Sequence, residues 1–165
     1  MKKELKKGFK FLYVVISVWL TAYICSIFTQ TGLSGWYNSF NKPELTPPNQ
    51  VFPVIWTIIY ILLILSTCIV LRDADSKHRN KINNMFITQL ALQILWCFTF
   101  FAEGQLGLGL IIILLLDIVA FKTISEFMKV KHFAGLLLYP YYWWLIFATF
   151  LNITFVISGG MVILF

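Results

Sequence analysis

Residues 106–127 read LGLGLIIILLLDIVAFKTISEF. At about 1.5 Å of rise per residue, such a stretch crosses a hydrocarbon layer roughly 30 Å thick. It contains no proline, and the ionisable residues well inside it are Asp117 and Lys122. A soluble helix of this length would show a polar face repeating every three or four residues, and this one does not. The stretch therefore reads as a transmembrane helix.

Four further stretches read the same way: residues 11–29, 51–71, 83–102 and 133–157. The separators are short, except for a Pro-rich and polar loop over residues 30–50. The chain is 59% hydrophobic and 12% charged, against roughly 25% charged for a soluble domain. The expectation is an all-α membrane protein. It is a single five-transmembrane-helix bundle over residues 1–165, with spans at about 11–29, 51–71, 83–102, 106–127 and 133–157. The first stretch resembles a signal peptide only in its preceding lysines. Its apolar core exceeds the roughly 7–15 residues of a signal, and no A-x-A site follows. Ile24 before Cys25 does not suit a lipoprotein site, so the stretch is read as a retained helix.

The charges give orientation. Lys2, Lys3, Lys6, Lys7 and Lys10 precede the first span. Arg72, Lys77, Arg79 and Lys81 lie between the second and third, and Lys129 and Lys131 between the fourth and fifth. Lys42 is the one basic residue of the opposite loops. By the positive-inside rule the N-terminus is cytoplasmic, and the long loop between the first two spans faces out. The net charge of +6 is thereby explained by topology, and no nucleic-acid partner is expected. Cys25, Cys68 and Cys97 fall within spans without metal spacing. No Walker loop, dinucleotide fingerprint, zinc-protease helix or nucleophile elbow is present. No metal and no required cofactor are expected.

Three spans carry faces that lipid does not require. Pro53, Trp56 and Tyr60 share one face of the second span. Gln89, Gln93, Trp96 and Phe100 line one face of the third. Tyr141, Trp144, Ala148 and Asn152 line one face of the fifth. Amides are costly in hydrocarbon without partners, so these faces should turn inward. They are either packing faces with interhelical hydrogen bonds or the walls of an aromatic pocket for a flat apolar ligand. Asp117, at mid-depth, is either a functional group or a neutral hydrogen-bonded structural acid. The outer loop, with Trp36, Tyr37, Lys42, Pro43, Pro47 and Pro48, reads as a lid or a linker.

These residues together resemble the translocator protein family, the TspO/MBR or tryptophan-rich sensory proteins, also called peripheral-type benzodiazepine receptors. Three motifs carry the resemblance. The first is Trp36, Tyr37, Lys42, Pro43, Pro47, Pro48, Val51, Phe52, Pro53, Trp56, Thr57 and Tyr60. The second is Gln89, Leu90, Leu92, Trp96, Phe100 and Phe101, and the third is Pro140, Tyr141, Trp144, Phe147, Ala148, Leu151 and Asn152. The chain departs from the pattern at Gln93, where the family has Asn, and at Leu45, where it has Trp.

The resemblance implies a membrane receptor, sensor or transporter with a pocket beneath the outer loop. Protoporphyrin, haem and benzodiazepine-like drugs are the implied ligands, and a homodimer the implied assembly. The positions implied for binding are Trp36, Tyr37, Lys42, Pro47, Trp56, Tyr60, Gln93, Trp96, Phe100, Tyr141, Trp144 and Ala148. An alternative is a light-dependent porphyrin-degrading enzyme, in which Trp56 and Trp144 would be the catalytic residues. A structural membrane protein without a small ligand is the other. Specific cholesterol binding is not expected, because the Tyr and basic residue of the sterol pattern are missing after Asn152. The composition fits a bacterial plasma membrane, with the mitochondrial outer membrane as the alternative.

Overall fold

The computed structural model describes residues 2–39 and 46–158. Among these there is no strand, and the helices are α1 (Lys2–Ser34), α2 (Trp36–Ser39), α3 (Val51–Asp73), α4 (Ser76–Cys97), α5 (Leu106–Val130), α6 (His132–Leu136) and α7 (Tyr139–Ser158). A π-helical turn, Phe98–Ala102, extends α4. Five segments of the described residues are long and apolar enough to cross a membrane: Lys10–Ser34, Val51–Asp73, His78–Ala102, Leu106–Val130 and His132–Ser158. The protein is an integral multi-pass membrane protein with an all-α fold.

The helices outrun the apolar stretches for local reasons. The Asp75 carboxylate accepts the His78 backbone N–H at 2.8 Å, so α4 is capped within the charged segment rather than at the membrane boundary. Pro53 falls in the first turn of α3, where a missing N–H leaves no bond unmade. The start of α3 is closed by the Val51 N–H donating to the Pro48 carbonyl at 2.9 Å.

Around the bundle, α1 packs on α3 and α4, α4 on α5, α5 on α7, and α7 more lightly on α3. The core runs along the inner faces in three clusters. One at the basic end joins Val14, Val18, Leu63, Val70, Phe86 and Phe127. One at the opposite end joins Tyr37, Trp96, Phe100, Phe101, Ile113 and Phe155. The third joins Ile59, Leu116, Ala120, Tyr141 and Leu145. Phe11, Ile16, Trp19, Tyr23 and Ile27 of α1 lie on the outside, as expected of a lipid-facing surface. At the basic end, Glu126 of α5 accepts from Lys129 at 2.7 Å and pairs with Lys81 of α4 at 2.9 Å, fastening two neighbouring helices.

The π turn decides how the opposite end closes. The Glu103 N–H reaches back to the Phe98 carbonyl at 3.0 Å, a step of five residues. The Phe101 carbonyl accepts the indole N–H of Trp36 at 2.8 Å. Gly32 of α1 lies against the same carbonyl, where an added Cβ would stand 2.6 Å from the oxygen. Gly104 then turns the chain into α5 with φ of 64°. That left-handed backbone favours glycine, and a Cβ there would press on the Trp36 ring at 3.2 Å.

Candidate functional site

A cavity of about 490 Å³ opens at the end away from the basic residues, between α1, α3 and the end of α4. Its floor is aromatic and sulfur-bearing: Trp56 and Tyr60 of α3, Cys25 of α1, and Trp96, Cys97 and Phe101. Trp56 and Tyr60 stack at 5.5 Å between ring centroids, which their four-residue spacing on α3 makes possible. The rim is polar, with Ser26, Thr29, Gln30 and Ser34 of α1 facing Asn38, Asn49 and Gln50. The Asn49 side-chain amide donates to the Asn38 side-chain oxygen at 3.3 Å, joining α2 to the approach to α3 above the mouth.

The residues expected from the sequence fall into distinct places. Trp56, Tyr60 and Trp96 line the cavity. Gln93 is buried just beneath it. Its side-chain amide donates to the Cys97 sulfur at 3.7 Å, and its backbone carbonyl accepts from the Cys25 thiol at 3.8 Å. Trp36, Tyr37, Phe100 and Ala148 belong to the packed cluster at the same end, where Trp96 stacks on Phe100 at 5.5 Å. Burial pushes the Tyr37 phenol up to about 12. Tyr141 is fully packed in the third cluster and Trp144 lies against it. The Trp144 ring meets Phe52 edge-on at 6.0 Å. Trp56 packs against both clusters, and Phe52, which meets Trp144, itself lines the cavity. Pro47 is half-buried ahead of α3. Lys42 and Pro43 lie outside the described residues.

The amides turn inward: Gln89, Gln93 and Asn152 are all buried. Asn152 accepts the Trp96 indole N–H at 3.4 Å and donates to the Leu106 carbonyl at 3.0 Å. Gly109 gives it room, since a Cβ there would touch both the Asn152 oxygen and Phe100. This bond orients the Trp96 ring towards the cavity. Asp117 is buried between α5 and α7, and its carboxyl accepts the Thr149 hydroxyl at 2.8 Å. It does not line the cavity. Among the described residues no three His, Cys, Asp or Glu side chains gather as a metal site. His78 and His132 sit at the basic end, far along the chain axis from the cavity.

The wall contributed by α1 has no counterpart in the three faces legible from sequence. Its signal was a run of small polar residues, Ser26, Thr29, Gln30 and Ser34, at helical spacing in one half of an otherwise apolar span.

The fold and cavity define a class: a multi-pass helical membrane protein with an aromatic compartment between its helices. Comparison with known proteins narrows it. The family model of the TspO/MBR family matches residues 12–157, and the chain belongs to that family. It is 33% identical to the "Tryptophan-rich protein TspO" of Archaeoglobus fulgidus, over 87% of this chain and 92% of that protein. It is 35% identical to the "Tryptophan-rich protein TspO" of Chlorobaculum tepidum, over 78% of this chain and 82% of that one. It is 31% identical to the human "Translocator protein", over 71% of this chain and 70% of that one.

Proposed function

We propose that the protein is a membrane receptor or sensor that binds a tetrapyrrole, protoporphyrin or haem, or a benzodiazepine-like drug, in the cavity between α1, α3 and α4. The observation that carries this reading is the pairing of an aromatic floor (Trp56, Tyr60, Trp96) with a polar rim in one compartment. Its volume falls in the roughly 300–1,000 Å³ range of small-molecule sites. A flat π-system gains from stacking on indole and phenol rings, while acidic or polar substituents find amide and hydroxyl partners at the rim. Free-base porphyrin suits the floor better than ligated iron, since both histidines lie at the other end and the thiols are the soft donors present. The names of the relatives, sensory protein and translocator protein, agree with a receptor or sensor role.

The test is titration of the purified chain with protoporphyrin in darkness, read by tryptophan fluorescence. Trp56→Phe and Trp96→Phe should weaken the saturable quenching. Trp19→Phe and Trp143→Phe, whose rings face outward at 64% and 65% exposure, should leave the midpoint where it was. An unchanged midpoint in both floor variants would remove the cavity as the binding site. Repeating the titration under illumination separates binding from turnover, because only turnover yields a discrete product at a rate that Trp56→Phe and Trp144→Phe alter.

A further inference from the structure

Cys25 of α1 and Cys97, the last residue of α4, both line the aromatic cavity. Both are free thiols, and they meet at Gln93. The Cys25 thiol donates to the Gln93 backbone carbonyl at 3.8 Å, and the Gln93 side-chain amide donates to the Cys97 sulfur at 3.7 Å. The two thiols are also side-chain hydrogen-bond neighbours of each other. Helix packing holds them there. Gly32 lies seven residues beyond Cys25 on the same face of α1. A Cβ on Gly32 would stand 2.6 Å from the Phe101 carbonyl oxygen, so α1 meets the extension of α4 backbone to backbone. A disulfide needs Cα atoms within roughly 7 Å. The Gly32 contact, with the Cys25 sulfur 3.8 Å from an α4 backbone oxygen, keeps the two helices within that reach.

We propose that Cys25 and Cys97 are an oxidisable pair, closed into a disulfide by a small apolar organic disulfide that enters the cavity, and that the new bond fastens α1 to α4 beneath the mouth. One thiol gives up its proton and attacks a sulfur of the reagent, R–S–S–R. The departing R–S⁻ takes up that proton. The second thiol then attacks the protein sulfur of the mixed disulfide and expels the other R–S⁻, which its own proton neutralises. The pair loses two electrons and two protons, and the reagent gains both as two R–SH. Charge favours this chemistry over metal binding. No charged side chain lines the cavity among the described residues. A soft monovalent ion on two thiolates would therefore bury a net negative charge without a counter-charge. A zinc-type ion takes four ligands, and among the described residues no third His, Cys, Asp or Glu joins the pair. A dithiol and its disulfide are both neutral. The mouth opens at the end that the positive-inside rule places outside, on the side where disulfides persist. The bond forms without a porphyrin, so it stands apart from the function proposed above.

The experiment uses the full chain in neutral detergent, carrying Cys68→Ser to remove the third thiol, which lies in a separate groove beside Phe11 and Arg72. The probe is 2,2′-dithiodipyridine, a neutral aromatic disulfide whose released thiopyridone is counted by absorbance. Two equivalents should be released, the second at a rate independent of reagent concentration, because it comes from attack within the chain. The intact mass should fall by two hydrogens with no adduct retained. Peptide mapping should join Cys25 to Cys97, and dithiothreitol should reverse the change. Adding Cys25→Ser or Cys97→Ser should cut the release to one equivalent and leave one thiopyridyl adduct on the chain. Thermal melting of each reduced variant confirms that the bundle is intact. Adducts retained on both cysteines, a bond between two chains instead of within one, or no release until the chain is denatured would each overturn the proposal.

Discussion

Replacing Gly32 by alanine tests how α1 is held against the rest of the bundle. The new Cβ would stand 2.6 Å from the Phe101 carbonyl oxygen and 3.0 Å from its carbon and Cα, whereas ordinary contact begins at 3.4 Å. All three atoms are backbone, inside a π turn fixed by the Glu103 N–H and the Trp36 indole. Neither can swing aside like a side chain, so α1 must withdraw by roughly 0.8 Å at this point. Overpacking of this kind costs about 1–3 kcal/mol. Loosening of the Trp36 bond adds about 0.5–1.5 kcal/mol. Alanine returns about 1 kcal/mol through its better helix propensity. The net expectation is a destabilisation of about 0.5–3.5 kcal/mol. For a chain of this size each kcal/mol lowers the melting temperature by about 2–4 °C. Thermal unfolding in detergent, followed by circular dichroism, measures it. Because Thr29 and Leu33 of the cavity wall flank Gly32, protoporphyrin quenching should weaken in the same variant. A melting temperature equal to or above that of the parent chain would refute the rigid α1–π-turn contact.

Thr149→Val keeps the shape of the side chain but removes the hydroxyl that the buried Asp117 carboxyl accepts. It should cost about 1–3 kcal/mol in the same melt, while Thr149→Ser should cost less than about 1 kcal/mol; equal melts for both would show that the bond does not contribute. The Tyr37 phenol, held near 12 against an ordinary 10.0, favours the folded state while it stays protonated. Its contribution is complete below pH 10 and is lost as pH rises towards 12. Stability should therefore fall more steeply over that window in the parent chain than in Tyr37→Phe, and identical slopes would contradict the burial of this group.

The five spans were legible because hydrocarbon thickness is a simple constraint on length, and apolar runs satisfy it whatever their neighbours. The helix ends were less so. The charged segment before residue 83 read as a separator, yet Asp75 caps a helix that starts at Ser76, since a cap needs only the backbone and one carboxylate. The aromatic faces were legible as inward, but their division was not. Spacing places Trp96 and Phe100 together, and they do stack. Only Trp96 reaches the cavity, because the π turn beginning at Phe98 changes the helical phase beyond it. Such a turn has no marker in local propensity. The wall from α1 went unread because serine and threonine in a span satisfy their own helix: Ser26 bonds the carbonyl three residues back and Ser34 the one four residues back. Their presence alone does not announce a cavity.

The cavity's outer wall is the least anchored of the five spans: 22% of the apolar window of α1 is buried, against 50% for those of α4 and α5. Ser26 and Gln30 on its rim are exposed. An apolar ligand of a protein held in a bilayer partitions into the lipid around it. For an apolar ligand the relevant concentration is then its mole fraction in the lipid, not its amount in water. Adding bilayer at constant ligand would dilute the ligand and lower occupancy, even with protein and total ligand unchanged. Occupancy in such a protein reports on the composition of the membrane around it.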